Sequence, residues 1–379
     1  MGKFYMTVNL IVIQPSSLCN LNCSYCYVPE RQNSMIIEDS TLENIFSKTL
    51  SSTIVSDHIE YLWHAGEPLT VGISFYEKII DYIKKYNIEN RKVINSVQTN
   101  GTLLSAKWCE FFKENHFKIG ISMDGPEFLH NQNRKDWSGK GSHYIAMRGV
   151  NLLKEYGLDF GAICVLTKES LHYPEEIFYF FYENDFKWVG FNVEEIENSN
   201  HSTSLNSEKL ENITRMYNSF MSRLFDLWQQ HRDKITIREF QNMCSAINIK
   251  LKDRHFYCVP DEIQKLRIVT IQKNGSITTN SPEFAGSSNK ELNNFIVGNI
   301  NSLDSFEHII NNDIYLKLQV EIENGVKNCA DTCLYFDLCG GGSPSNKYFE
   351  NGSISSTETI TCILHKQILA SVVINKLSE

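Results

Sequence analysis

Cys19-Asn20-Leu21-Asn22-Cys23-Ser24-Tyr25-Cys26 comes shortly after Thr7–Gln14, a run of apolar and β-branched residues. Such a run reads as a strand buried on both faces, the habit of parallel sheets. Outward from this stretch the chain repeats one rhythm. Strands are expected at Ile59–His64, Val93–Thr99, Lys118–Met123, Phe160–Thr167 and Trp188–Glu194. Helices are expected between them at Thr41–Leu50, Ser74–Tyr86, Ser105–Asn115, Tyr144–Tyr156 and Glu175–Asn184. Ser105 offers a cap to one helix and Gly157 closes another. Alternation of this kind makes parallel βαβ units. Six strands predict an α/β fold built on a partial (β/α)6 barrel, whose chemistry gathers at the C-terminal ends of the strands. The cysteine stretch then lies on that rim.

Asn198–Asn206 is polar and Ser-rich, a connection. Beyond it Leu210, Ile213, Tyr217, Phe220, Leu224 and Trp228 recur at helical spacing, which predicts a helix packed on the barrel. Past residue 250 the rhythm stops. Ile268–Gln272 and Ser276–Thr279 flank Asn274-Gly275, a hairpin turn, and Cys329–Ser345 is rich in Cys and Gly. The expected division is a barrel domain over residues 1–234 and a loop-rich second domain over 235–379.

The chain has 379 residues, 42% hydrophobic and 21% charged, as a folded globular protein does. A net charge of −9 leaves no basic footprint for duplex nucleic acid. No 18-residue apolar run suggests a membrane span. Met1–Met6 opens no apolar signal region, which predicts a cytoplasmic protein. Eleven cysteines are present, three within residues 19–26 and four within 329–362. A chain this long needs no disulfide staples, so clustering points to metal or redox chemistry. Cys109, Cys164, Cys244 and Cys258 are scattered and read as small core residues.

Thiolates are soft ligands for iron–sulfur clusters or zinc. Three protein ligands on a four-iron cluster leave one iron open to substrate or cofactor. A closed structural zinc site takes four ligands, and the fourth would have to come from afar. The second set, Cys329, Cys333, Cys339 and Cys362, suits a cluster or tetrahedral zinc. There Gly340-Gly341-Gly342 lets the backbone approach the metal and donate to sulfur.

CxxxCxxC with an aromatic before its last Cys resembles the signature of radical S-adenosylmethionine enzymes, and further segments agree in order. His64-Ala65-Gly66-Glu67-Pro68 is similar to the family's Gly-Gly-Glu-Pro segment, whose backbone and Glu hold the methionine amino group; Ala65 replaces the first Gly. Gln98-Thr99-Asn100-Gly101-Thr102, Ser122-Met123-Asp124-Gly125-Pro126 and Arg134 resemble cofactor-facing positions, and Gly161–Leu166 the strand whose backbone holds adenine. The resemblance implies that Cys19, Cys23 and Cys26 ligate a 4Fe-4S cluster. It also implies that Tyr25, Ala65, Gly66, Glu67, Gln98, Asn100, Ser122, Asp124, Arg134 and Val165 surround S-adenosylmethionine. One electron from such a low-potential centre cleaves the cofactor to a 5′-deoxyadenosyl radical, while the protein orients and excludes water.

The C-terminal region is similar to the SPASM extension, which carries auxiliary 4Fe-4S clusters in peptide-modifying radical enzymes. It departs from that pattern: Asn280 and Ser343 stand where cysteines are usual, and only Cys258 remains of the first auxiliary set. One thiolate cannot hold a cubane, so Cys258 reads as a core thiol. The expectation is one auxiliary cluster on Cys329, Cys333, Cys339 and Cys362, and two clusters in all.

Leu10–Pro15, Cys23–Arg31, Trp63–Leu69 and Gly340–Lys347 look like the maturases that build three-residue cyclophanes in ribosomal peptides. In that family a radical at Cβ of a polar residue bonds to the aromatic ring two residues earlier. A base then removes the ring proton, and the last electron passes to the auxiliary cluster. Glu283 and Asp331 are the nearby acids for that base, though either also reads as a solvated surface acid. The neighbouring anaerobic sulfatase maturases resemble a pattern with an Asp beside the Cys after the hairpin, where Asn280-Ser281 here supplies no carboxylate. The implied partners are a ribosomal precursor peptide, leader plus core, and a flavodoxin or ferredoxin type reductant. The 18 or so residues before Cys19 are too few for a separate leader-binding domain, so strand addition to an open edge is the expected capture. The competing readings are a sulfatase- or thioether-forming SPASM maturase, a non-catalytic iron–sulfur electron carrier, and a zinc-dependent binding module.

Overall fold

The computed structural model describes residues 7–379; Met1–Met6, on which the signal-region reading rests, lie outside the described residues. The strands are β1 (Val8–Ile13), β2 (Val55–Trp63), β3 (Lys92–Thr99), β4 (Lys118–Ser122), β5 (Phe160–Leu166), β6 (Trp188–Val193), β7 (Thr236–Ile237), β8 (Ile268–Ile271), β9 (Ser276–Thr279) and β10 (Gly298–Asn299). All join one open sheet in the order β10-β9-β8-β1-β2-β3-β4-β5-β6-β7. From β8 through β1 to β7 every pairing is parallel, and β8-β9-β10 is an antiparallel meander. The expected partial α/β barrel is therefore present. Its sheet runs on past residue 234, because β7 and the hairpin both hydrogen-bond into it.

The register explains the layering. Ile13, Trp63, Val97, Ile119 and Phe160 stand side by side and are buried beneath the helices. The alternate row of Leu62, Ser96, Gln98, Gly120 and Gly161 lines a cavity of ≈ 730 Å3. The covering helices are α1 (Asp39–Leu50), α2 (Ile73–Tyr86), α3 (Ala106–Glu114), α4 (Glu127–Asn133), α5 (His143–Glu155) and α6 (Pro174–Glu183). Ser105 caps α3 as expected, accepting from the Trp108 N–H.

α7 (Leu210–His231) buries Ile213, Tyr217, Phe220 and Leu224, but Leu210 is exposed at its start. The region beyond 235 is more helical than loop-rich. It carries α8 (Arg238–Lys252), α9 (Asp313–Thr332), α10 (Phe336–Cys339), α11 (Pro344–Asn351) and α12 (Ile360–Ser378). Asn312 caps α9 by accepting from the N–H groups of Ile314 and Tyr315, and Tyr315, Leu318 and Ile322 form its buried face. Among the described residues only α12 is long and apolar enough to cross a membrane. Its Leu369, Ala370, Val372 and Val373 are buried, and it packs on α7 and α8 as a core helix does.

Candidate active site

The loop after β1 is pinned from several sides. Cys19 N–H donates to Arg31 O, Asn22 N–H to Lys135 O and Ser24 N–H to Asn133 O. The Trp137 indole donates to Cys19 O at 2.9 Å. This fixes where the three thiols point. Burial, the largest cause, with Glu67 and the other two thiols, pushes Cys19 up to about 12. Cys23 is pushed up to about 11, again foremost by burial. Thiols held in this way ionise when a metal brings positive charge. All three are free. Among the described residues no three His, Cys, Asp or Glu side chains meet around one point. Three free thiols on one short loop are the soft donors that an iron–sulfur cluster takes, and in chemistry the donor set fits one.

The β2 exit folds back under this loop. Gly66 has φ 58°, and a Cβ there would stand 2.5 Å from Leu18 O, so only glycine fits. Ala65 also sits at positive φ, 73°, a strain on the order of 1 kcal/mol for a residue with a Cβ. The Glu67 carboxylate is largely engaged by its own chain. Oε1 accepts from Leu69 N–H at 3.0 Å and Thr99 Oγ1 at 2.7 Å, and Oε2 accepts from Asn100 N–H at 2.7 Å. Burial pushes it up to about 7 against those three donors. A carboxylate has about four acceptor positions, so Glu67 first shapes the rim and keeps one position for a ligand.

Asn100 reaches across to Asn20 at 2.9 Å and lies 4.0 Å from Cys19 Sγ. At the β4 exit Asp124 is the hub. Its Oδ2 accepts from Arg134 Nε at 3.0 Å and from the Tyr25 hydroxyl, and its Oδ1 accepts from Val165 N–H at 3.0 Å. The Arg134 guanidinium lies over the Tyr25 ring. Gln98 donates to Ser122 Oγ at 3.0 Å. The strand ends thus bring together the residues singled out around the first cysteine loop.

Cys329 lies in the last turn of α9, Cys333 caps its end, Cys339 closes α10 and Cys362 lies in the first turn of α12. Burial, then Cys339, pushes Cys362 up to about 11. Cys329 is raised by burial and lowered by Lys347, whose Nζ is 3.3 Å from its Sγ. Both thiols also feel Cys333. Gly340 has φ 76°, and a Cβ there would meet Cys258 O at 2.0 Å. That contact brings Cys258 against this turn. It is half-buried and its thiol feels Cys339, so it is not a core thiol. Cys109 and Cys164 do lie in the core.

Asp331 is exposed on the last turn of α9. Glu283 is not a surface acid. It is half-buried, and burial first and then Glu195 push it up to about 7. Glu197, buried, is raised well above the carboxylate range by burial, Glu195 and Glu283. The loop bearing this pair ties Ser199 N–H to Tyr27 O and Asn198 Nδ2 to Glu283 O. Tyr27, next to Cys26, feels Glu283 and Glu197, and its hydroxyl lies 3.5 Å from His64 Nδ1. Sequence reasoning missed Glu195, Glu197, Tyr27, His64 and Lys347. Glu195, Glu197 and His64 carried the signal of polarity just after strands and Tyr27 that of a place beside a cysteine, while Lys347 carried none.

An open parallel sheet with three thiols on its first loop and a polar rim at the following strand ends defines a partial-barrel enzyme fold. Residues 13–181 match the Radical SAM superfamily model. An uncharacterised protein, sll1766, of Synechocystis sp. is 39% identical over 98% of this chain and 92% of its own length. The chain belongs to the Radical SAM superfamily, whose members bind S-adenosylmethionine and a 4Fe-4S cluster. A cysteine-type anaerobic sulfatase-maturating enzyme of Clostridium perfringens is 29% identical over 88% of both chains. The structure of anSMEcpe with bound AdoMet superposes with a TM-score of 0.79 at 26% identity, over 97% of this chain and 98% of that one. The same protein is also known with AdoMet and a Cp18Cys peptide.

Proposed function

We propose that the protein is a peptide maturase of the SPASM type that forms a three-residue cyclophane in a ribosomal precursor peptide. The bond joins an aromatic ring to Cβ of a polar residue two positions later. What carries this reading is the carboxyl group set Glu195, Glu197 and Glu283 beside Tyr27, one residue after Cys26. Substitution on an arene must expel a ring proton, and an acceptor held near neutrality is the base that step needs.

When bound, S-adenosylmethionine with a cluster on Cys19, Cys23 and Cys26 supplies a hydrogen-abstracting radical, and a second cluster on Cys329, Cys333, Cys339 and Cys362 supplies an electron acceptor. The chain's own groups do the rest. Glu67, Asn100 and the Asp124–Arg134–Tyr25 hub fix the rim, and Gln98, Ser122 and Val165 present polar groups along it. Glu283 takes the ring proton and becomes neutral, and the nearby Glu197 and Glu195 favour its holding that proton. Clustered free thiols suit a reducing, cytoplasmic compartment with a flavodoxin or ferredoxin type reductant. The peptide bound by anSMEcpe supports a peptide as substrate.

Anaerobic incubation with the precursor encoded nearby tests the reading. The expected product is two hydrogens lighter, with the loss placed by tandem mass spectrometry between an aromatic and a polar residue and every Cys and Ser unchanged. The likeness to the sulfatase-maturating enzyme favours a second reading, oxidation of a substrate Cys or Ser. An aldehyde at such a residue would establish it. Against it, the residue after the hairpin is Asn280, engaged by Glu262 O at 2.9 Å and Gln319 at 3.1 Å, with no carboxylate beside it.

A further inference from the structure

We propose that Lys347 raises the reduction potential of a cluster held by Cys329, Cys333, Cys339 and Cys362, and so makes that centre the electron sink of the reaction. This rests on the two-cluster reading above and goes beyond it by assigning the bias to one side chain.

Lys347 lies in the first turn of α11 and is only 4% exposed. Its Nζ donates to Gly325 O at 3.1 Å and to Cys329 Sγ at 3.3 Å. Among the described residues it forms no salt bridge. A buried ammonium facing one carbonyl and one neutral thiol is poorly compensated. Four thiolates around an iron–sulfur core carry the missing negative charge. The lysine is thus placed for the loaded centre.

Reduction adds one more negative charge to that centre. A fixed positive charge in a buried setting favours the reduced form over the oxidised one, and hydrogen bonds to cluster sulfur act in the same direction. The first thiol set has no such donor. Cys19 Sγ receives the Leu21 N–H at 3.4 Å and the Asn100 amide at 4.0 Å, both neutral, and the nearby charge is that of Glu67. Arg134 and Arg31 lie near Cys23, but Arg134 is paired with Asp124 and Arg31 donates to the Cys23 carbonyl, not to a sulfur. After ring closure the peptide radical gives its proton to the carboxyl set and one electron to the oxidised auxiliary centre. The peptide is oxidised, the centre is reduced by that electron, and the aromatic ring is restored.

The test is a redox titration followed by electron paramagnetic resonance on reconstituted parent enzyme, Lys347→Met and Lys347→Arg, each with its iron count. Lys347→Met is expected to keep its iron and lose at least tenfold in the reduction equilibrium of the auxiliary centre, about 59 mV for one electron. The first cluster should be unmoved and Lys347→Arg close to the parent. An unchanged auxiliary potential in an iron-replete Lys347→Met overturns the proposal and leaves the two-cluster reading standing. A parent that binds only about four irons removes both. If Lys347→Met fails to load, Lys347→Gln, which can still donate to Gly325 O, takes its place. Loss of the auxiliary iron in both, with Lys347→Arg loaded, makes the lysine an assembly residue and overturns the potential assignment.

Discussion

The two thiol sets are held by opposite means. The first sits on one loop whose backbone is tied to Arg31, Asn133 and Lys135, so the three sulfurs move together or not at all. The second gathers ends of separate helices around a glycine turn, with a buried ammonium against one sulfur. Near the first, Arg134 is paired with Asp124 and Arg31 donates to a carbonyl, whereas in the second a buried ammonium meets a sulfur directly. One set therefore suits a centre that must give an electron away and the other suits a centre that must take one. The carboxyl set lies between the first cysteine loop and the exit of the β8–β9 hairpin.

The sharpest test of this contrast is to remove each set in turn. Cys23→Ala should abolish S-adenosylmethionine cleavage, measured as 5′-deoxyadenosine, to the level without enzyme. Replacing Cys329, Cys333 and Cys339 with Ala should lower the iron count from about eight to about four. Cleavage should persist while crosslinked product disappears. Retained product would break the assignment of the second set.

Glu283→Gln should lower kcat/KM for crosslinking by roughly 10²–10⁴-fold. In the parent, kcat/KM should rise with pH through about 7 as the carboxyl loses its proton, and in the variant that limb should be absent. Asp124→Ala leaves Arg134 buried without its partner and should cost roughly 3–5 kcal/mol in denaturant unfolding. The smallest effect concerns stability alone. Glu197 is raised by burial, so its proton stabilises the fold at low pH, and that contribution is lost as pH rises through its folded value. Glu197→Gln, which needs no proton, should match the parent at pH 5 and melt roughly 2–4 °C higher at pH 8.

Much of the barrel was legible because parallel strands buried on both faces are written as unbroken apolar runs. Val8–Ile13 and Phe160–Leu166 needed no partner to be recognised. The rim residues were legible through the resemblance of their segments, which come soon after strands: Asn100 adjoins β3, Asp124 is two residues past β4 and Glu67 four past β2. α9 was harder. Its buried Tyr315, Leu318 and Ile322 keep helical spacing, but Gly325 interrupts the pattern just before the cysteines. Of the carboxyl set only Glu283 was legible, as an acid near the hairpin. Glu195 and Glu197 follow β6 and Glu283 follows β9, and only the tertiary fold makes one acid environment of them. Cys258 was misjudged for the same reason, because the Gly340 turn that it touches comes much later in the chain.

The parallel pairing of β8 with β1 has a consequence for synthesis on the ribosome. Leu10–Ile13 pair on one side with Ile268–Ile271, so each strand residue is made 258 positions before its partner. At about 5–20 residues per second the gap is on the order of tens of seconds. For that interval the nascent barrel presents an apolar strand edge with unpaired N–H and C=O groups, open to pairing with another chain. The hairpin is thus also the piece that seals the seam, and a chain released before Ile271 would carry its stickiest edge uncovered.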